Sequence, residues 1–231
     1  MSLVYFIGGE KGGVGKSLVA RVLAQYFIDR NLPLLGFDTD RSHGALLRYY
    51  ADFTAPAALD DQDSLDPVIE HALEQPERRI LVDLAAQTQQ SVSKWFDDAD
   101  VLGIARENGI ELTWWQVMDA GRDSVDLLRQ WLDQFGGKLR LVIVLNEIRG
   151  ERFELLEASG QRQRAEALGA TVVSLRHLSD ATMQKIDEKN SSFWAAAHHP
   201  DRSSTGLGIL ERQRVKVWLN RFYEEIDKVA P

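Results

Sequence analysis

The stretch that most limits what this chain can fold into is residues 8–17, G-G-E-K-G-G-V-G-K-S. An apolar run, Leu3-Val4-Tyr5-Phe6-Ile7, precedes it, and Leu18, Val19, Val22, Leu23, Tyr26 and Phe27 follow at helical spacing. Strand, glycine-rich turn and helix is the context in which such a motif binds phosphate. Glycines let the backbone wrap a ligand closely, its N–H groups turn inward, and the helix N-terminus adds partial positive charge. The cradle spans Gly12, Gly13, Val14, Gly15, Lys16, Ser17 and Leu18. Lys16 reaches the outer phosphates as a point charge, and the Ser17 hydroxyl holds Mg²⁺. An ordinary glycine-rich turn with two solvated lysines is the bland alternative.

Downstream, apolar runs alternate with helical patterns. Six strands are expected, at 3–7, 34–37, 79–84, 111–118, 141–145 and 171–175. The fold class that follows is α/β, a doubly wound, mostly parallel sheet flanked by helices, in one domain over residues 1–231. In such sheets ligands sit beyond the carboxyl ends of the strands. Three strands run into polar residues there: Asp38-Thr39-Asp40, Asp83 and Asn146. An apolar run closing on Asp83 suits a carboxylate that holds the water shell of magnesium. Asn146 offers an acceptor and two donors, which suits an adenine edge. Trp114 and Trp115 should face opposite sides of their strand, in core packing. Residues 51–63 read as a polar loop, and residues 147–169 as mostly helical, with interleaved Arg and Glu forming solvated pairs. Val215, Val217, Trp218, Phe222 and Ile226 are the expected packing face of a terminal helix at 209–229.

The glycine-rich stretch departs from the ordinary phosphate loop. Glu10 stands where the first glycine should be, and a second lysine, Lys11, opens K-G-G-V-G-K-S. This resembles the deviant Walker A motif of the ParA/MinD family of P-loop NTPases. The resemblance implies an ATP hydrolase in which Lys11 crosses a dimer interface to the partner's nucleotide. It further implies that Asp38 sits in the magnesium shell through water, that Asp40 activates the attacking water, and that Asn146 reads the base. The implied site is therefore Lys11, Lys16 and Asp40 for catalysis, with Ser17, Asp38 and Asp83 for Mg²⁺ and the loop plus Asn146 for ATP. The motif Asn-Lys-x-Asp of GTPases is not met by Asn146-Glu147-Ile148-Arg149, which favours ATP.

Two segments depart from the family. Arg41-Ser42-His43-Gly44 replaces the usual Pro-Gln-Gly, and Leu84-Ala85-Ala86-Gln87 replaces a proline-containing turn. Gln87 and Thr88 are polar groups for a γ-phosphate sensor, whereas His43 reads as a surface histidine. The implied function is a Mg²⁺-dependent, ATP-driven dimerisation switch in plasmid or chromosome partitioning or maintenance. Two alternatives stay open: an ATP-dependent small-molecule synthase on the same fold, and a nucleotide-dependent scaffold in conjugative mobilisation. The implied partners are a second copy of the chain and a DNA-bound adaptor protein, with direct DNA contact undecided.

Composition removes several classes. There is no cysteine, so disulfides, cysteine nucleophiles and cysteine-held iron–sulfur clusters are excluded. A net charge of −8 provides no overall basic field for nucleic acid. No apolar run is long enough to span a bilayer, no secretory leader is evident, and the last helix is too acidic to seek a membrane. A cytoplasmic protein is expected. His198-His199 lacks partners at metal-ligand spacing and is declined as a metal site.

Overall fold

The computed structural model describes residues 2–41, 44–59, 62–199 and 206–229; His43 and the start of the expected loop at 203–208 lie outside them. Among the described residues seven strands form one sheet: β1 (Ser2–Gly8), β2 (Leu34–Asp38), β3 (Thr54–Pro56), β4 (Arg79–Asp83), β5 (Ile110–Met118), β6 (Arg140–Asn146) and β7 (Thr171–Leu175). Their order is β3-β2-β4-β1-β5-β6-β7, and every pair is parallel.

The sheet is thus wholly parallel, with one strand more than the apolar runs announced. The added strand, β3, lies inside the segment expected to be loop. It is three residues long, ends on Pro56 and occupies the sheet edge. A proline cannot donate to a ladder and is tolerated at such an edge. With no apolar run to mark it, β3 forms because β2 offers it a partner, pairing Gly36 with Thr54.

Helices cover both faces, which is why the central strands are apolar on both sides. Leu3, Tyr5 and Ile7 of β1 pack with α1 (Lys16–Asp29), α10 (Phe193–His198) and α11 (Ile209–Asp227). Val4 and Phe6 pack on the other face with α3 (Asp66–Glu74), α4 (Gln89–Asp98) and α6 (Arg122–Phe135). Trp115 joins the first core and Trp114 the second, as alternation along β5 requires.

The terminal helix corrects one expectation. Val215, Trp218, Leu219, Phe222 and Ile226 are its buried stripe, whereas Val217 is 38% exposed. The buried positions follow i, i+3, i+4, i+7 and i+11, and residue 217 falls off that line. Residues 147–169 contain α7 (Glu154–Ser159) and α8 (Gln161–Ala167), where Arg162 pairs with Glu157 and Glu166. No helix among the described residues is long and apolar enough to cross a membrane.

Because all strands are parallel, their carboxyl ends share one edge. Register pairs Asp38 with Asp83, and Asp83 with Ile7, the residue before Gly8. The loop and both carboxylates therefore meet on one crest.

Candidate functional site

The glycine-rich loop leaves β1 at Gly8 and enters α1 at Lys16. Two glycines are fixed by geometry. A Cβ on Gly8 would sit 2.2 Å from the Trp114 ring. Gly15 adopts φ 96°, and a Cβ there would meet the Asn146 amide nitrogen at 2.2 Å. Gly15 caps α1 without a side chain, and the first helical turn carries no acid. The N–H groups of Lys16, Ser17 and Leu18 thus have no intrahelical partner, the arrangement that suits an anion. A Cβ on Gly12 would meet no heavy atom within 4 Å, so this side of the loop is open.

Lys16 is nearly buried, and its ammonium donates to the Lys11 carbonyl at 3.2 Å. Burial lowers its pKa, while the charges of Asp83, Glu10 and Asp40 hold it up. Asp83 is more extreme. Both carboxylate oxygens are buried with no hydrogen-bond partner of ordinary geometry among the described residues. Burial, then repulsion from Asp38, push its carboxyl up to about 7; the Ser17 hydroxyl and Lys16 charge offset only part of this, and Asp40 adds to the rise. Asp38 is also raised by burial, although it accepts N–H groups of Leu47 at 2.9 Å and Asp40 at 3.0 Å. Thr39, which carries no motif signal of its own, stitches the crest. Its hydroxyl donates to the Asp83 carbonyl at 3.0 Å and accepts from the Ala85 N–H at 2.8 Å.

An orphaned buried carboxylate is costly unless something charged completes it. Asp83 beside Ser17, with Asp38 alongside, is a hard-oxygen set that fits a hydrated Mg²⁺. That ion binds through one or two carboxylates and substrate phosphates rather than a protein cage. No group of three or more His, Cys, Asp or Glu positioned as metal ligands occurs among the described residues.

The structure places Glu10 in a role that the sequence does not reveal. Its carboxylate accepts the Gln89 N–H at the start of α4, and its carbonyl accepts the Gln87 N–H at 3.3 Å. The residue that breaks the ordinary loop pattern therefore ties that loop to the turn after β4. Gln87 sits at φ 63°, and Thr88 donates its hydroxyl to the Ala85 carbonyl at 2.8 Å.

Lys11 points to its own chain. Its ammonium lies 3.1 Å from Asp119 Oδ2 and 3.6 Å from Asp123 Oδ2. Asp119, directly after β5, is 1% exposed and accepts the Ser124 hydroxyl at 2.7 Å and the Gly121 N–H at 3.1 Å. Burial alone would raise the Asp119 carboxyl, but hydrogen bonds from Ser124, Lys11 and Gly121 outweigh it and hold it below the usual range. The sequence pattern points to a helix from residue 125 with Asp123 or Ser124 as its cap. The helix instead starts at Arg122, no side chain caps it, and Ser124 turns back to Asp119.

Asn146 is also buried. Its amide donates to the Val14 carbonyl at 2.7 Å, and its oxygen accepts the Ile148 N–H at 3.3 Å. One N–H and one lone pair remain for a base. Beside it, Glu147 and the loop Arg176-His177-Leu178 line a cavity of about 540 Å³ with Trp218 of α11.

Residues 5–188 match the family model described as the CobQ/CobB/MinD/ParA nucleotide binding domain. The chain is 27% identical over 230 residues to Protein MobD of Acidithiobacillus ferrooxidans, covering 98% of this chain and 97% of that protein. It is 25% identical over 250 residues to Protein TraL of Escherichia coli, covering 100% of this chain and 99% of that one. In fold it is similar to a candidate plasmid partition protein of Borrelia burgdorferi B31 solved with AMPPNP. That match has 13% identity, a TM-score of 0.50, and coverage of 96% of this chain and 98% of the other.

Proposed function

The chain belongs to the CobQ/CobB/MinD/ParA nucleotide-binding family, and from that premise we propose that it is a Mg²⁺-dependent ATPase whose nucleotide state governs the pairing of two copies. The observation that carries this reading is the buried, unpartnered Asp83 carboxylate beside Ser17 and Lys16 at the mouth of α1. In its ionised form such a group is costly to bury, and a cation with phosphates would offset that cost.

In this mechanism the N–H groups of Gly13 to Leu18 bind the phosphates, and Lys16 neutralises charge that develops on the transferred group. Ser17 and Asp83 would hold Mg²⁺, with Asp38 orienting its water shell, and the ion when bound would supply electrostatic stabilisation of the phosphates. Asp40, on the same crest and electrostatically coupled to Lys16 and Asp83, orients the attacking water. Asn146 uses its remaining amide capacity on the base. Lys11 leaves Asp119 and reaches the partner's nucleotide, so that turnover is slow and coupled to assembly. The process served is plasmid or chromosome partitioning or maintenance in the cytoplasm, acting as a single domain. A DNA-bound adaptor would be the second partner.

One observation favours a second reading. A cavity of about 660 Å³ opens beside Asp38 and Asp40 and carries Arg41 and Arg48, which suits a carboxylate substrate of an ATP-dependent synthase. Turnover assays separate the two. Lys16→Ala abolishes hydrolysis in either case, whereas Lys11→Ala impairs dimerisation more than nucleotide binding only in the first. Turnover that depends on an added carboxylic acid, with no nucleotide-dependent dimer, would support the synthase.

A further inference from the structure

Far from the phosphate loop, about 18 Å along α1 at 1.5 Å per residue, lies a second built cavity. It encloses about 560 Å³ and is lined by Tyr49, Tyr50, Phe53 and Trp194, with the carboxylates of Asp29 and Asp52 at its edge. Exposed large aromatics are unusual in this fold. Trp194 is 44% exposed and Phe53 38%, while the other five tryptophans are each 5% exposed or less. His198 stacks on Trp194 at 5.1 Å, which orders the indole. Asp52 is exposed, and neither Asp52 nor Asp29 has a lysine or arginine partner among the described residues. Asp29 accepts only neutral donors, Gln25 at 2.8 Å and Tyr223 at 2.8 Å.

Aromatic walls with uncompensated carboxylates form the environment that favours a cation. The fold already holds one guanidinium this way next door. The Arg21 guanidinium lies 3.6 Å from the centre of the Tyr49 ring and 4.7 Å from that of Phe193, and pairs with Asp187 at 2.8 Å. That cation is neutralised by Asp187, so it does not cancel the charge of Asp29 and Asp52.

We propose that this cavity docks an arginine side chain presented by a basic segment of a partner polypeptide. The planar guanidinium stacks against Phe53 and Trp194 while its fork of donors meets Asp52; a lysine ammonium does neither as well. The site lies outside the nucleotide chemistry and does not rest on it.

The test uses the full chain and a short blocked peptide carrying two arginines. Binding is followed by calorimetry and by tryptophan emission. Because Trp194 is the one exposed tryptophan among the described residues, the emission change should vanish in Trp194→Phe. Asp52→Asn and Phe53→Leu, both at exposed positions, should weaken binding roughly three- to tenfold. A lysine peptide should bind more weakly, and a citrulline peptide, equal in shape but uncharged, should not bind. The proposal is overturned if the citrulline or lysine peptide binds as tightly as the arginine peptide. It is equally overturned if spermidine does so, or if Asp52→Asn and Phe53→Leu leave the affinity unchanged.

Discussion

Replacing Asp119 with asparagine should make the protein dimerise more readily. In the structure Lys11 is held by its own chain, 3.1 Å from a carboxylate that is 1% exposed. At an effective dielectric of about 20 the gross attraction at that distance is roughly 5 kcal/mol. The lysine is 23% exposed and regains water on release, which leaves a net hold of about 1 kcal/mol. A lysine that must reach the partner's nucleotide has to break this contact first. A symmetric dimer breaks two, so removing the hold should tighten dimerisation by about fivefold per protomer, or roughly 30-fold for the pair. Asparagine at 119 still accepts the Ser124 hydroxyl and Gly121 N–H, so the turn after β5 survives. Sedimentation in the presence of a slowly hydrolysed ATP analogue measures the constant. A dimer no tighter than that of the unaltered protein would refute the idea that the Asp119 contact competes with assembly.

Asp83→Asn should abolish turnover and, without metal or nucleotide, raise thermal stability at pH 8. The Asp83 carboxyl is raised to about 7, so the folded state holds a proton that the unfolded state releases near pH 4, and stability falls as pH rises between those values. The difference is on the order of a few kcal/mol, lost by pH 8 and absent from the variant, as melting curves across that range would show. For the same reason, stabilisation by added Mg²⁺ and nucleotide should grow from pH 6 to pH 8 in the unaltered protein. Gly15→Ala combines φ 96° with a 2.2 Å clash against the Asn146 amide. It should therefore lose nucleotide binding by at least about tenfold in calorimetry while the sheet remains folded by circular dichroism.

The apolar runs ending in Asp38, Asp83 and Asn146 were legible because a buried parallel strand has to be apolar along its whole length and its ligand edge has to be polar. The loop was legible because its glycines leave few other uses. The third strand was not, since three residues ending in Pro56 carry no periodic signal and form only against β2. Hydrophobicity alone puts Val217 among the packing residues, but phase along the helix decides, and Leu219 holds the buried place. The contacts Lys11–Asp119 and Glu10–Gln89 join residues far apart in sequence. No local pattern encodes them, although an acid directly after a strand, as at Asp119, is a signal of the same kind as Asp83. Asn146 is expected beside a base; its first partner is the Val14 carbonyl, so it also braces the loop from behind.

The central claim is that Lys11 acts on the nucleotide of the other copy. Mixing Lys11→Ala with Asp40→Ala protein tests it directly. Each variant alone should hydrolyse ATP poorly, one lacking the travelling lysine and the other the group that orients water. In a mixed dimer the Asp40→Ala copy still lends its Lys11 to a site that retains Asp40. Steady-state turnover should therefore recover on mixing and follow the fraction of mixed dimers. If the mixture stays as inactive as its components while mixed dimers are present, Lys11 does not act across the interface.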